Sequence, residues 1–284
     1  MQRLAALLVA LLFASIASHA QTADGALKRI KAAKSVAVAY RSDASPFSFV
    51  DESKQPLGFS IDLCRRVVAN IAQQLGVEGM QIKWVPVTTQ DRMEAVEKGR
   101  ADMECGSTTA TLSRSKQVNF SSYIFVDGTA LLVKTGSAQR LSDLGGKKIG
   151  VIAGTSNEKA VNDALKRLVI NATVVPVKTR DEGLAQLEAG QVDSFASDRT
   201  LLLAMGPKAK DPKSITLLSE DLSFEPYALV LPRNDDDFRL AVNSALAQVY
   251  RSGDISAIFK RWFGALGQPG LMLNATYMLG SIPE

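Results

Sequence analysis

Histidine is almost missing from this 284-residue chain; the single one is His19. It sits in an N-terminal stretch, MQRLAALLVALLFASIASHAQ, with the three parts of a removable leader. Arg3 gives a thin positive start, Leu4 to Ile16 an apolar run, and Ser18-His19-Ala20 a small-x-small cleavage site. Residues 1–20 are therefore read as a signal peptide, and the chain as soluble and periplasmic after export. The apolar run is short for a membrane span, and no cysteine follows it closely for lipid attachment. Cleavage after Ala20 leaves no histidine at all. Ser-His-Asp and Cys-His chemistry and His-ligated metal sites are then excluded, and neither cofactor nor metal is expected.

Cysteine is scarce too: Cys64 and Cys105 are the only two. An even count in an oxidising compartment suggests one disulfide. Two buried thiols are the other reading, because sequence does not supply the Cα separation a bond requires. Dense basic runs are missing as well. Removing Arg3 leaves 32 basic against 29 acidic residues, and the basic residues cluster only in pairs such as Arg65-Arg66 and Lys147-Lys148. Nucleic-acid binding needs a denser stripe with aromatic partners, so no such partner is expected. With 46% apolar and 22% charged residues the composition is ordinary for a globular protein. The length suits one large domain or two moderate lobes.

What is present is an alternation of strands and helices. SVAVAY (35–40) reads as a buried strand, and SPFSFVD with QPLGFS as a hairpin-like pair. Cys64, Val67, Val68, Ile71, Ala72 and Leu75 then recur at helical spacing, with Gly76 as the stop. A strand at 81–87, a helix from Thr89 to Lys98 and the short strand ADMEC follow. YIFVDGTALLVK (123–134) reads as one long extended run. A second strand–helix series covers strand 149–152, a helix from about Asn157, strand 172–177, helix 181–189, strand 192–196 and a short helix near Asp198. YALVLP (227–232) is another strand, and two amphipathic helices are expected to finish the fold. Such units imply parallel pairing and an α/β class. Two extended crossings, near 126–128 and 222–227, imply that residues 128–224 form a lobe inserted into a first lobe of residues 21–127 and 225–284. Two lobes joined by two strands make a hinge and a cleft.

Candidate site residues lie where strands end, which is where open α/β sheets bind ligands. ECGSTTATLSR (104–114) leaves a strand and at once displays Ser107, Thr108, Thr109 and then Arg114, a side chain able to grip a carboxylate with two parallel bonds. The same residues could instead cap a following helix. In TTQDR (88–92), Thr89 suits a cap, whereas Arg92 opposes the helix dipole and calls for an anion. AGTSNE (153–158) offers Thr155 and Ser156 at a helix start, either as caps or as an anion site. Asp198 and Arg41 end two further strands. Arg41, Arg92 and Arg114 with the single carboxylate Asp198 would complement a small zwitterion carrying extra negative charge.

The stretches SPFSF, GFSIDLC, PVTTQDRMEAVEKGRADMECGSTTATLSR, NFSSYIFVDGTALLVK, GTSNE, LEAGQVDSFASD and DISAIFKRWF resemble periplasmic solute-binding proteins of polar amino-acid ABC transporters (bacterial extracellular solute-binding protein family 3), in the glutamate/aspartate-binding branch. The likeness runs through nearly all of the mature chain and implies the two-lobed Venus flytrap fold. It further implies a monomer that closes on L-glutamate or L-aspartate and docks on an inner-membrane ABC permease. By the same resemblance Arg114, Ser107 and Thr109 take the α-carboxylate, and Asp198 the α-ammonium. Thr155 and Ser156 add contacts, while Arg41, Thr89 and Arg92 hold the side-chain carboxylate. The chain departs from the branch at Thr89, where a serine is expected, and at Arg180, where a histidine is expected; Lys178 is a shifted alternative there. A receptor for another polar amino acid, or an enzyme similar to the cyclohexadienyl dehydratases, is the alternative function.

Overall fold

The computed structural model describes residues 25–283, so the expected leader lies outside the described residues. The first half runs α1 (Ala26–Ala33), β1 (Ser35–Arg41), β2 (Asp43–Ala44), β3 (Ser48–Val50), β4 (Pro56–Leu57), α2 (Phe59–Leu75), β5 (Gln81–Val87), α3 (Arg92–Glu97) and β6 (Met103–Glu104). β1 is mostly buried because it lies between two parallel neighbours, β5 and β6. α2 turns the expected stripe of Cys64, Val67, Val68 and Ile71 inward, and the left-handed Gly76 closes it by donating to the Ala72 and Gln73 carbonyls. The two cysteines are bonded: Cys64 on α2 joins Cys105 just past β6 with their Cα atoms 6.4 Å apart.

The long extended run is two strands, β7 (Asn119–Asp127) and β8 (Thr129–Lys134), which belong to different sheets. Hydrophobic patterning could not mark the change, because both halves are rich in apolar residues. The break falls at Gly128, where an added Cβ would lie 2.8 Å from Cγ of Asp221 on the returning segment. There the outgoing and returning segments lie side by side, with Leu222 donating to the Thr129 carbonyl at 2.8 Å.

The second half comprises β9 (Lys148–Ile152), α4 (Ser156–Arg167), β10 (Thr173–Val177), α5 (Arg180–Glu188), β11 (Ser194–Asp198), α6 (Arg199–Met205) and β12 (Ile215–Leu217). β13 (Glu225–Leu231) then returns to the first sheet, followed by α7 (Asp236–Ser252), α8 (Asp254–Phe263) and α9 (Leu271–Gly280). The third C-terminal helix was not expected. Its inward residues, Leu273 and Tyr277, form too short a stripe to announce it. It lies against β7, where Tyr277 donates to the Ile124 carbonyl.

The first sheet has the order β5-β1-β6-β13-β7 and the second β10-β9-β11-β8-β12. In each, one strand, β13 in the first and β8 in the second, runs antiparallel to the other four, making an α/β fold of two lobes. The first has its own aromatic core around Phe47, Phe59, Phe125, Tyr227 and Phe263. The second buries separate clusters, one around Leu184, Phe195 and Leu202 and another around Val151, Val161 and Ala164.

Candidate functional site

Four arginines and a set of carboxylates meet where the strand ends of the two sheets face each other. Arg41 ends β1 and is buried; its guanidinium donates to Asp43 at 2.5 Å. Arg180, at the start of α5 on the opposite half, is also buried and reaches the other Asp43 oxygen at 3.4 Å. Asp43 thus bridges the halves. The Nε atoms of Arg41 and Arg180 both lack a hydrogen-bond partner among the described residues. Lys178 is exposed, and of the two cations considered at this place only Arg180 makes the bridge.

Arg92 stands at the first position of α3, 5% exposed. It donates from Nε to the Thr108 hydroxyl at 2.8 Å and from its terminal nitrogen to the Thr89 carbonyl. Thr89 is buried beside it. Arg114 opens a 3-10 turn, half-buried, and donates to the Thr109 carbonyl at 2.8 Å. The turn is capped by Thr111, whose hydroxyl accepts from the Arg114 N–H. Capping therefore falls to Thr111 and leaves Ser107, Thr108 and Thr109 for other work.

Burial and the neighbouring Arg114 push Arg92 down to about 9, and Arg41 and Arg180 act in the same direction. Burial and Arg180 likewise lower Arg41. Burial lowers Arg114, partly offset by Glu225 and Asp198. Guanidiniums stay protonated within proteins, so the cluster is a confined positive potential that an anion relieves. Burial works against the charge of Asp43, but Arg41 and then Arg180 outweigh it and hold the carboxyl below its ordinary value.

Opposite the arginines lies Asp198, 4% exposed, at the N-cap position of α6. Its carboxylate does not cap that helix; it accepts from Asn157 Nδ2 at 3.1 Å. The helix N–H of Thr200 bonds instead to Asp127, so Asp198 is released from the structural duty its position suggests. Burial raises Asp198, with Arg180 opposing and Glu225 adding to the rise. Ser156 contacts Thr109 across the halves at 3.3 Å between hydroxyl oxygens. Thr155 is committed to its helix: its hydroxyl donates to the Ile152 carbonyl and accepts from the Glu158 N–H.

Several acidic residues in this region were not foreseen. Glu225, at the start of β13, accepts from the Thr109 hydroxyl at 2.6 Å and from Ser223 at 2.5 Å. Glu104 is buried below the arginines, and Asp127 lies at the hinge. The expected single-carboxylate constellation is thus corrected: Asp43 joins Asp198 as the near neighbour of Arg41, and Glu104, Asp127 and Glu225 join because sheet pairing gathers residues far apart in sequence. The one local signal was an acidic residue opening a buried strand, in FEPYALVLP.

Burial and the nearby Asp198 raise Asp127 from an ordinary 3.8 to about 7. The native state then holds a proton that the unfolded chain releases. Its stabilising contribution is complete below about pH 4 and is lost as pH rises to about 7. Asp127→Asn is expected to remove this loss: thermal midpoints of wild type and variant should diverge between pH 4.5 and 7.5, with wild type falling faster.

Residues 36–265 match the bacterial extracellular solute-binding proteins, family 3. The chain is 35% identical over 275 residues to an L-glutamate/L-aspartate-binding protein of Pseudomonas aeruginosa, covering 95% of this chain and 89% of that protein. It is 32% identical over 245 residues to a glutamate/aspartate import solute-binding protein of Salmonella typhimurium, covering 86% and 81%. Among solved structures, an ancestral arginine-binding protein bound to arginine has a TM-score of 0.72 at 29% identity, covering 81% of this chain and 99% of that one. On the extent of these matches, and with two α/β lobes meeting at a charged site, the chain belongs to family 3 of the bacterial extracellular solute-binding proteins.

Proposed function

We propose that the protein is a periplasmic receptor that binds L-glutamate or L-aspartate between its lobes and delivers it to an inner-membrane ABC permease. The lobes are residues 21–127 with 225–284, and residues 128–224. The observation that carries this reading is the convergence of Arg41, Arg92, Arg114 and Arg180 opposite an Asp198 freed from capping. A zwitterion with a second carboxylate satisfies both signs at once. Arg114 grips the α-carboxylate with Ser107 and with Thr109, the latter through its backbone because its hydroxyl donates to Glu225, and Asp198 takes the α-ammonium. Arg41, Thr89, Arg92 and Arg180 hold the distal carboxylate. Ser156 adds a contact from the second lobe, as does Thr155 through its backbone, its hydroxyl being committed. The names of the two relatives support the same ligand class.

The protein acts as an exported monomer after cleavage of residues 1–20, and it is not an enzyme. Arginines with hydrogen-bonded carboxylates favour tight holding over proton transfer. An ultraviolet assay with prephenate and arogenate should show no turnover; turnover would make it a dehydratase-like enzyme.

Asp43 favours one second reading, a receptor for a different polar amino acid, because it already neutralises part of Arg41 and Arg180. Calorimetric titration of refolded, ligand-free protein separates the two. L-glutamate or L-aspartate should bind at least about 100-fold more tightly than L-glutamine, since a neutral amide leaves buried guanidiniums unmatched. A preference for glutamine would establish the second reading.

A further inference from the structure

Glu104 ends β6 in the first sheet, fully buried. Among the described residues neither carboxylate oxygen has a hydrogen-bond partner in good geometry, the Thr108 hydroxyl being the donor that acts on it. A buried carboxylate so poorly supplied with donors is held ionised chiefly by the charges around it. Those acting on it are Arg92 from α3, Arg41 from β1 and Arg114 from the following turn, with the Thr108 hydroxyl adding to their effect. β13, on its other side, presents the apolar Val230 at the paired position. Each arginine directs its hydrogen bonds elsewhere: Arg41 to Asp43, Arg92 to Thr108 and Thr89, Arg114 to Thr109. Glu104 therefore balances the cluster through a low-dielectric interior and not by direct contact.

The packing keeps room for this carboxylate. A Cβ on Gly106 would lie 2.1 Å from Glu104 Oε1 and 3.4 Å from Cγ of Arg41, so any side chain there would have to displace the carboxylate. Ser60 fixes the same turn by donating to the Gly106 carbonyl at 2.7 Å. Burial already raises Glu104 above the ordinary carboxyl value against the pull of the arginines.

We infer that Glu104 is a positioning residue that supplies the buried counter-charge of the arginine cluster and takes up a proton when an acidic ligand assumes that role. The inference rests on the acidic-ligand reading above. A distal carboxylate on Arg41 and Arg92 draws off the field that keeps Glu104 ionised. Two anions sharing one set of arginines in a dry site repel, and protonating the one more poorly supplied with hydrogen bonds relieves the repulsion. The proton comes from buffer and converts the carboxylate to a carboxylic acid, so the added ligand charge is matched by one proton. A neutral ligand leaves the field, and Glu104, unchanged. Proton uptake makes acidic-ligand affinity fall as pH rises, by up to about tenfold per pH unit for a whole proton.

Calorimetry in phosphate and in Tris, at pH 6.5 and pH 8, measures the protons exchanged. Asp127 and Asp198 can also exchange protons, so the readout is the difference between wild type and Glu104→Gln. Wild type should take up more protons on binding L-glutamate than Glu104→Gln does. The variant should bind more tightly than wild type at pH 8, with a flatter pH dependence. Equal proton uptake by two binding-competent proteins would overturn the inference while leaving the acidic-ligand reading intact. Failure of wild type to bind any acidic amino acid would overturn that reading, and this inference with it. An infrared difference spectrum of wild type gives a second test that does not depend on the variant folding. Adding L-glutamate should produce a protonated-carboxyl band that persists in Asp127→Asn, and its absence would overturn the inference.

Discussion

Arg114→Ala should weaken binding of L-glutamate by roughly 100- to 1,000-fold while the folded protein keeps its stability. Charge-assisted hydrogen bonds in a site shielded from water contribute about 1.5–3 kcal/mol each, and a bidentate carboxylate grip loses two of them. A loss of about 3–4 kcal/mol corresponds to that range of affinity. Stability should hold because Arg114 is half-buried on a short turn, and its hydrogen bond within the protein goes to the Thr109 carbonyl. Arg92 differs. It ties Thr108 to Thr89 and heads the charges that offset Glu104, so Arg92→Ala should lower the thermal midpoint as well as the affinity. Calorimetry with parallel thermal melts checks both. Glutamate affinity within tenfold of wild type in Arg114→Ala would remove that residue from the α-carboxylate role.

Opening the Cys64–Cys105 bond should cost about as much stability as any single change outside the cores. The bond spans 41 residues of chain, and loop-closure entropy for that length is about 4 kcal/mol in the unfolded state. For a protein of this size, that corresponds to a fall of roughly 8 °C in the thermal midpoint. Binding should suffer as well, for Cys105 directly precedes Gly106 and Ser107 and anchors the site turn to α2. A double Cys64→Ser, Cys105→Ser variant, melted with and without L-glutamate, tests both effects. An unchanged midpoint would mean that packing of α2 on the sheet already fixes this turn.

Much of this site was legible in the order of residues, for a physical reason. Strand ends and helix starts are local features, so Arg41, Arg92, Thr155, Ser156 and Asp198 could be placed on them without knowing the fold. Arg114 followed from a hydroxyl-rich exit from a strand. Asp43 is visible as the acidic neighbour of Arg41, but the rest of the acidic half was not legible, because Glu104, Asp127 and Glu225 each sit beside an apolar run with no local oddity except at Glu225. Asp43 lies two residues from Arg41, but pairing of β1 with β6 is what brings Glu104 near the arginines, and the return of β13 beside β7 brings in Asp127 and Glu225. The same non-local pairing divides residues 119–134 between two sheets. Whether Asp198 caps α6 was equally undecidable, since the answer depends on Asp127 in the neighbouring crossing.

A thermal-shift panel of the twenty amino acids on refolded, ligand-free protein tests the central claim most directly. A ligand bound only by the native state raises the midpoint in proportion to the logarithm of its concentration over Kd. L-glutamate and L-aspartate should give the largest rises, while glutamine, lysine and arginine should give little or none. Stabilisation by arginine, lysine or glutamine, without any by the acidic amino acids, would contradict the account.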